Sequence, residues 1–235
     1  MLGTPDVSLA LSQHDDYCRA LVSCGLEVIR LPADLHHPDS TFVEDTAVLI
    51  SRSAILTRPG AAPRLGEVAE MREPLQLFYS SIHEITAPGT LDGGDVCEAG
   101  SHFFIGISRR TNQEGARQLS QLLEAEGFSS STIDIRGMSS ILHLKSGIAC
   151  LNNNDLAVME ELADRKEFSA YNLIWVPDEE SYACNCVLVN DRVLMPAGFP
   201  RLQNDLARRG YNSLPLEMSE FRKMDGGLSC LSLRF

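Results

Sequence analysis

No apolar run in this chain approaches the roughly eighteen residues that would span a bilayer, and its start lacks the basic, apolar, small-residue order of a secretory signal. The expectation is a soluble, cytoplasmic protein with no membrane partner. There is also no C-x-x-C pair: the seven cysteines lie scattered at 18, 24, 97, 150, 184, 186 and 230. An odd, dispersed set argues against a disulfide framework and for reduced thiols. Cys184 and Cys186, in an apolar stretch, are expected on one face of a strand rather than around a structural zinc, so no metal is implied. Positive charge is short, with 20 Lys and Arg against 32 Asp and Glu, a formal net charge of -12. That argues against a general nucleic-acid binder and suits a small cationic ligand, although acidic surplus commonly serves solubility alone. No linker or low-complexity stretch divides the chain, and 44% hydrophobic residues supply a core, so a single domain over 1–235 is expected.

What the chain does contain is a repeat, recurring at roughly forty to fifty residues and reading strand, turn, strand, helix, strand. The first full copy has β-prone runs at 46–50 and 54–57, a helix from Arg64 to about Phe78, and a strand at Ile82 to Ile85. The second has runs at 94–98 and 102–107, a helix capped by Asn112 and reaching about Glu126, and a strand at 131–135. A third starts at Leu142, with a strand at 148–151, a helix near Asp155 to Asp164 and a strand at Asn172 to Val176. The fourth runs from Cys184 to about Leu216 around a hairpin turning at Asn190-Asp191. A helix at about Leu11 to Cys24, a strand at Leu26 to Leu31 and a lone strand at Leu228 to Phe235 read as parts of a fifth copy. Met1 to Asp6 is too short and turn-rich to supply the strand that this copy lacks. Repeats of this kind protect their strand edges when arranged in a ring.

Chemistry-bearing residues collect at the repeat starts. Asp39 and Glu44-Asp45 precede the first hairpin, and Asp92-Gly93-Gly94-Asp95 the second, where glycine allows a carboxylate close to the main chain. The plainer alternative is that Asp92 and Asp95 only anchor a turn. His143 stands between two leucines at the third start, where strand alternation turns it away from them, and it reads either as a structural histidine or as an acid–base group. Cys230 follows the Asp225-Gly226-Gly227 turn at the head of the last strand; it reads either as a small apolar thiol or, beside an imidazole and carboxylates, as a nucleophile for a cationic carbon. Arg64 and Arg110 read as solvated helix-start residues or as anion binders.

At these residues the chain resembles the dimethylarginine dimethylaminohydrolase family of the pentein, or guanidino-group-modifying, superfamily. The segments that carry the likeness are Phe42-Val43-Glu44-Asp45, Leu91-Asp92-Gly93-Gly94-Asp95-Val96, Phe103-Phe104-Ile105-Gly106 with Arg110-Thr111-Asn112, Leu142-His143-Leu144-Lys145-Ser146, and Met218-Ser219-Glu220-Phe221-Arg222-Lys223 leading to Cys230. They lie in order over nearly the whole chain. The resemblance implies a five-bladed α/β propeller of ββαβ units, its first unit incomplete at the N-terminus. It implies hydrolysis of asymmetric dimethylarginine, with monomethylarginine as a second substrate, to citrulline and dimethylamine or methylamine, without a cofactor. Cys230 would attack the guanidinium carbon, His143 would protonate the leaving amine and then activate water, and Asp92 would orient the imidazole. Asp39, Glu44 and Asp45 match positions that grip the guanidinium and amine ends of the substrate, and Arg64 and Arg110 match those that hold its carboxylate.

Two departures stand out. Family members begin with a further strand and a covering loop for which this chain has no counterpart. Met224 occupies a place where the family tends to have a smaller aliphatic residue, which would narrow the substrate pocket. A zinc ion bridging Cys230 and His143 would be an inhibitor, since two ligands do not make a structural site. Arginine deiminase or amidinotransferase chemistry would use a similar triad, and a non-catalytic methylarginine-binding protein could be built on the same scaffold.

Overall fold

A computed structural model describes residues 3–152 and 154–235, and these fall into two compact units: the chain up to Pro32 with Ser146–Ser229, and Ala33–Lys145 with Cys230–Phe235. In the first unit, α1 (Val7–Ser23) begins at Val7 because Asp6 takes extended backbone and its side chain accepts the Leu9 amide, which moves the start ahead of the expected Leu11. One stripe of the helix, including Tyr17, Cys18 and Leu21, is buried.

The second unit holds the first two repeats. Strands β1 (Ala47–Leu49) and β2 (Ser53–Leu56) form a hairpin, α2 (Glu67–Gln76) crosses over, and β3 (Ser81–Glu84) pairs parallel to β2. A 3-10 turn, Ala62–Arg64, precedes α2, so Arg64 lies ahead of the helix it was expected to start. The second copy repeats the order with β4 (Val96–Ala99), β5 (His102–Ile107), α3 (Gln113–Ala125) and β6 (Ser129–Asp134). Asn112 caps α3 as expected, accepting the Gly115 amide. In each sheet the middle strand is hydrogen-bonded on both edges, and Ile55, Phe104 and Ile105 on β2 and β5 are completely buried. Leu91, Phe103, Ile105, Leu119 and Leu123 fill one core; α2 closes a second through Val68, Met71 and Leu75.

The first unit holds the other two copies. Here β7 (Ile148–Cys150) pairs antiparallel to β8 (Asp155–Met159), which pairs parallel to β9 (Asn172–Val176). The helix expected at Asp155 to Asp164 is therefore a strand followed by short 3-10 turns at Glu160–Leu162 and Lys166–Phe168. Leu156, Ala157 and Val158 are buried on both faces of a central strand, and such a continuous apolar run has no period to distinguish it from a helix. The fourth copy is β10 (Val187–Val189), β11 (Arg192–Pro196), α4 (Pro200–Arg208) and β12 (Asn212–Leu216), followed by the short α5 (Ser219–Arg222). Its hairpin turns with Asn190 in the left-handed region at φ 52°.

Three other expectations fail. Residues 26–31 form no strand: no described strand lies along them, and Ile29 and Leu31 are 57% and 42% exposed. Leu228 to Phe235 is a 3-10 turn, Ser229–Leu231, and an irregular tail, held by side chains rather than by a ladder. Cys184 ends a 3-10 turn, Asp178–Cys184, and Cys186 precedes β10, so the two do not share a strand face, though both are buried. Met1 and Leu2 of the segment judged too short for a strand lie outside the described residues, and residues 3–6 form none. Among the described residues no helix is long and apolar enough to cross a membrane.

Candidate active site

Three of the repeats begin with a 3-10 turn, and these turns carry the polar residues of the site. Val43–Thr46 precedes β1 and holds Glu44 and Asp45; Gly93–Asp95 precedes β4 and follows Asp92; Leu144–Ser146 follows His143. The turn of 93–95 sits so close to that of 43–46 that a Cβ on Gly93 would lie 2.0 Å from the Glu44 carbonyl oxygen. Only glycine permits this approach. His143 is thus ahead of a turn, not within a strand, and it is buried against acidic side chains rather than turned out of an apolar face.

The centre of the group is a hydrogen bond of 3.0 Å between His143 Nε2 and Asp92 Oδ2, with Asp45 Oδ1 at 3.9 Å from the same nitrogen. Asp92 is completely buried and its other oxygen accepts the Gly60 amide at 2.8 Å. Asp45 Oδ1 accepts the Gly94 amide at 2.9 Å, and its Oδ2 takes Arg64 Nη1 at 2.5 Å. Burial alone would strip the imidazole of its proton, but the Asp45, Asp92 and Asp95 carboxylates outweigh it and push His143 up to about 9. Asp92 moves the other way: burial would raise it, and the hydrogen bond and charge of His143 hold it below the usual carboxylate range. Near neutral pH the pair is an imidazolium beside a carboxylate, which is a general acid already loaded with its proton.

Asp45, Asp92 and His143 bring one ligand atom each to within 4.8 Å of one another, a spacing a metal ion could use. Their donor atoms are committed elsewhere, however, to Arg64, Gly60, Gly94 and each other, and the imidazole favours its protonated form. The donor set fits acid–base work better than metal binding.

No family profile matches the chain. Its sequence is 48% identical over 235 residues to the N(G),N(G)-dimethylarginine dimethylaminohydrolase of Pseudomonas aeruginosa, covering 100% of this chain and 91% of that protein. The chain belongs to the dimethylarginine dimethylaminohydrolase family. A second member, from Streptomyces coelicolor, is 36% identical over 230 residues, with 97% of this chain and 87% of the relative covered. A solved Pseudomonas aeruginosa structure, a cysteine-to-serine variant complexed with citrulline, superposes with a TM-score of 0.96 over 100% of this chain and 91% of its own, at 48% identity. The four mixed three-stranded sheets with their helices are therefore the α/β, pentein-type fold of the dimethylarginine dimethylaminohydrolases.

Of the residues singled out in the sequence, Asp92, His143 and Asp45 come together directly. Glu44 lies beside them in the chain, buried, and takes Lys145 Nζ at 2.7 Å and Arg234 Nη2 at 3.6 Å. Cys230 belongs to the same compact unit, half-buried in its 3-10 turn. The tail that follows it is anchored on that unit through Arg234 on Glu44, Leu233 in the α2 core and Phe235 against Phe78 and Tyr79. Just before Cys230, the Asn185 amide fixes Ser229, donating to its Oγ at 3.0 Å and accepting its N–H at 2.9 Å.

Arg64 is engaged within its own unit. Its guanidinium is buried and spent inside the unit, with Nε and Nη2 forked onto Glu67, Nη1 on Asp45, and Nη2 also donating to the Phe42 and Asp39 carbonyls. A group so enclosed positions Asp45. Asp39 is exposed and contributes its carbonyl to Arg64. Arg110 is half-buried, and its guanidinium makes no ion pair with the other described residues. Met224 belongs to the other unit, 36% exposed after α5. Glu67 was missed in the sequence, although its i,i+3 spacing from Arg64 was visible; Ser108 and Thr111 were missed because hydroxyl donors to a carboxylate leave no sequence pattern.

Proposed function

We propose that this chain hydrolyses asymmetric dimethylarginine, and monomethylarginine as a second substrate, through a covalent adduct on Cys230. The observation that carries the reading is the buried His143–Asp92 pair, an imidazolium held at 3.0 Å by a carboxylate in a chain of this family. A guanidinium resists attack because resonance spreads its charge, so it must be held in plane and its leaving amine protonated. Asp39, Glu44 and Asp45 supply negative charge for holding its guanidinium and amine ends, and Arg110 is the cation available for its carboxylate.

In the first step the Cys230 thiol gives its proton to solvent, its sulfur bonds to the guanidinium carbon, and the bond to dimethylamine breaks as His143 passes its proton to the departing nitrogen. In the second, His143 takes a proton from water, the resulting hydroxide adds to the same carbon, and the carbon–sulfur bond breaks as the added hydroxyl gives its proton to the departing sulfur, releasing citrulline and the Cys230 thiol. Atoms and charge balance without a cofactor. The substrate's own positive charge favours the thiolate, so substrate binding helps to activate Cys230. None of the seven cysteines is in a disulfide, which suits a cytoplasmic place for such an enzyme.

Purified protein should release citrulline and dimethylamine in equal amounts from asymmetric dimethylarginine, with release lost in Cys230→Ser and absent with unmethylated arginine. Turnover of arginine itself would move the reading to deiminase chemistry, and binding without any product would move it to a methylarginine-binding protein. Arg110→Lys should raise KM by about tenfold with kcat little changed, because an ammonium cannot fork onto a carboxylate; an unchanged KM rejects that role.

A further inference from the structure

We propose that Asp95 is a positioning residue for this reaction: its one buried carboxylate ties the backbone of Asp92 to the backbone beside His143, and so sets the imidazole against the group that orients it. The proposal rests on the roles given above to Asp92 and His143. Asp95 is completely buried, and its carboxylate is held by three groups that all lie outside its own turn. Oδ2 accepts the hydroxyls of Ser108 and Thr111, each at 2.6 Å, and Oδ1 accepts the Leu144 amide at 3.0 Å. A plain turn anchor would bond to its own turn.

The Thr111 hydroxyl that donates to Asp95 in turn accepts the Asp92 amide at 3.1 Å. A continuous path therefore runs from the Leu144 N–H, next to His143, through Asp95 and Thr111 to the N–H of Asp92, and the 3.0 Å bond from Asp92 to His143 closes it into a loop. Closed networks of buried polar groups hold geometry more tightly than isolated bonds. Neighbouring backbone makes room for this one: a Cβ at Gly106 on β5 would lie 2.8 Å from Asp95 Oδ1 and 2.9 Å from the Leu144 side chain. Charge adds to geometry. Burial pushes Asp95 up to about 6, against the pull of His143 and its hydrogen-bond donors, so near neutral pH it is ionised and joins Asp45 and Asp92 in holding the imidazole protonated.

Asp95→Asn keeps the shape and an acceptor for Leu144 but removes the charge. In the folded full-length protein, kcat for dimethylarginine should fall by about thirtyfold with KM changed less than about threefold, and the His143 ring titration followed by NMR should move down by about one pH unit. Thr111→Val breaks only the Asp92 end of the path and should cost about tenfold in kcat, while Thr111→Ser, which keeps the hydroxyl, should restore the rate. An unmoved imidazole titration in folded Asp95→Asn, or wild-type kcat in Thr111→Val, overturns the proposal. Should Asp95→Asn fail to fold, the two Thr111 variants decide alone. A wild-type chain that makes no citrulline would defeat the assigned reaction, and the titration would still decide the place of Asp95.

Discussion

His143 and Arg64 show at the residue scale how burial and charge oppose one another. The folded His143 holds its proton to about 9, above the ordinary 6.5, so its imidazolium contributes stability that is complete below pH 6.5 and is lost as pH rises through about 9. The advantage of wild type over His143→Gln in thermal midpoint should shrink across that window; a constant difference would mean that the ring is neutral in the fold. Asp95 works in the opposite sense, since an acid raised from 3.8 to about 6 makes the fold less stable as pH climbs between those values. For Arg64 the expectation follows from enclosure. Arg64→Met would leave Asp45 and Glu67 buried without their cation and should cost about 3 kcal/mol or more in denaturant unfolding. If Arg64 instead served a ligand carboxylate, stability would hold and KM alone would rise. Residue identity is legible in the sequence for Asp92, His143 and Asp45, because acids and a histidine recur at repeat starts. The partner of Arg64 is not, because charge on a helix start says nothing of whether it faces solvent or a buried acid.

The recurring hairpin-and-crossover is readable from alternation and turn residues in three copies, and Asn112 and Asn190 announce a cap and a hairpin turn by their chemistry. The third copy departs from its expected helix because its central strand is apolar on both faces, and the tail after Leu228 departs from its expected strand because a short apolar run does not say whether a neighbour exists to pair with it. The 3-10 turns that carry the site are not readable either, since their form depends on approach between distant segments. Gly94 is where that approach is tightest around the imidazole: a Cβ there would meet Asp45 Oδ1 at 2.8 Å and His143 Cγ at 2.9 Å. Gly94→Ala should therefore displace the ring from Asp92 and lower kcat by about tenfold or more while far-ultraviolet circular dichroism stays unchanged. Full activity in that variant would show that the turn has room to yield and that ring placement does not limit the rate.

Across the whole molecule the net charge of -12 is legible in composition alone, whereas the discontinuous first unit, built from the chain up to Pro32 and from Ser146–Ser229, is not, because nothing in composition marks its limits. The two kinds of acid act at different ranges. Carboxylates around His143 are buried, where salt screens them little, so the chemical step should be insensitive to ionic strength. The surplus on the surface is open to screening, and a dimethylarginine molecule, with a guanidinium, an ammonium and one carboxylate, carries one net positive charge toward it. Raising salt from about 0.02 M to about 0.3 M shortens the Debye length from roughly 20 Å to roughly 6 Å, and kcat/KM should fall by roughly twofold to fourfold while kcat stays constant. A flat kcat/KM would assign the acidic surplus to solubility alone, and a falling kcat would mean that some of the charge acting on the reaction lies within reach of solvent ions.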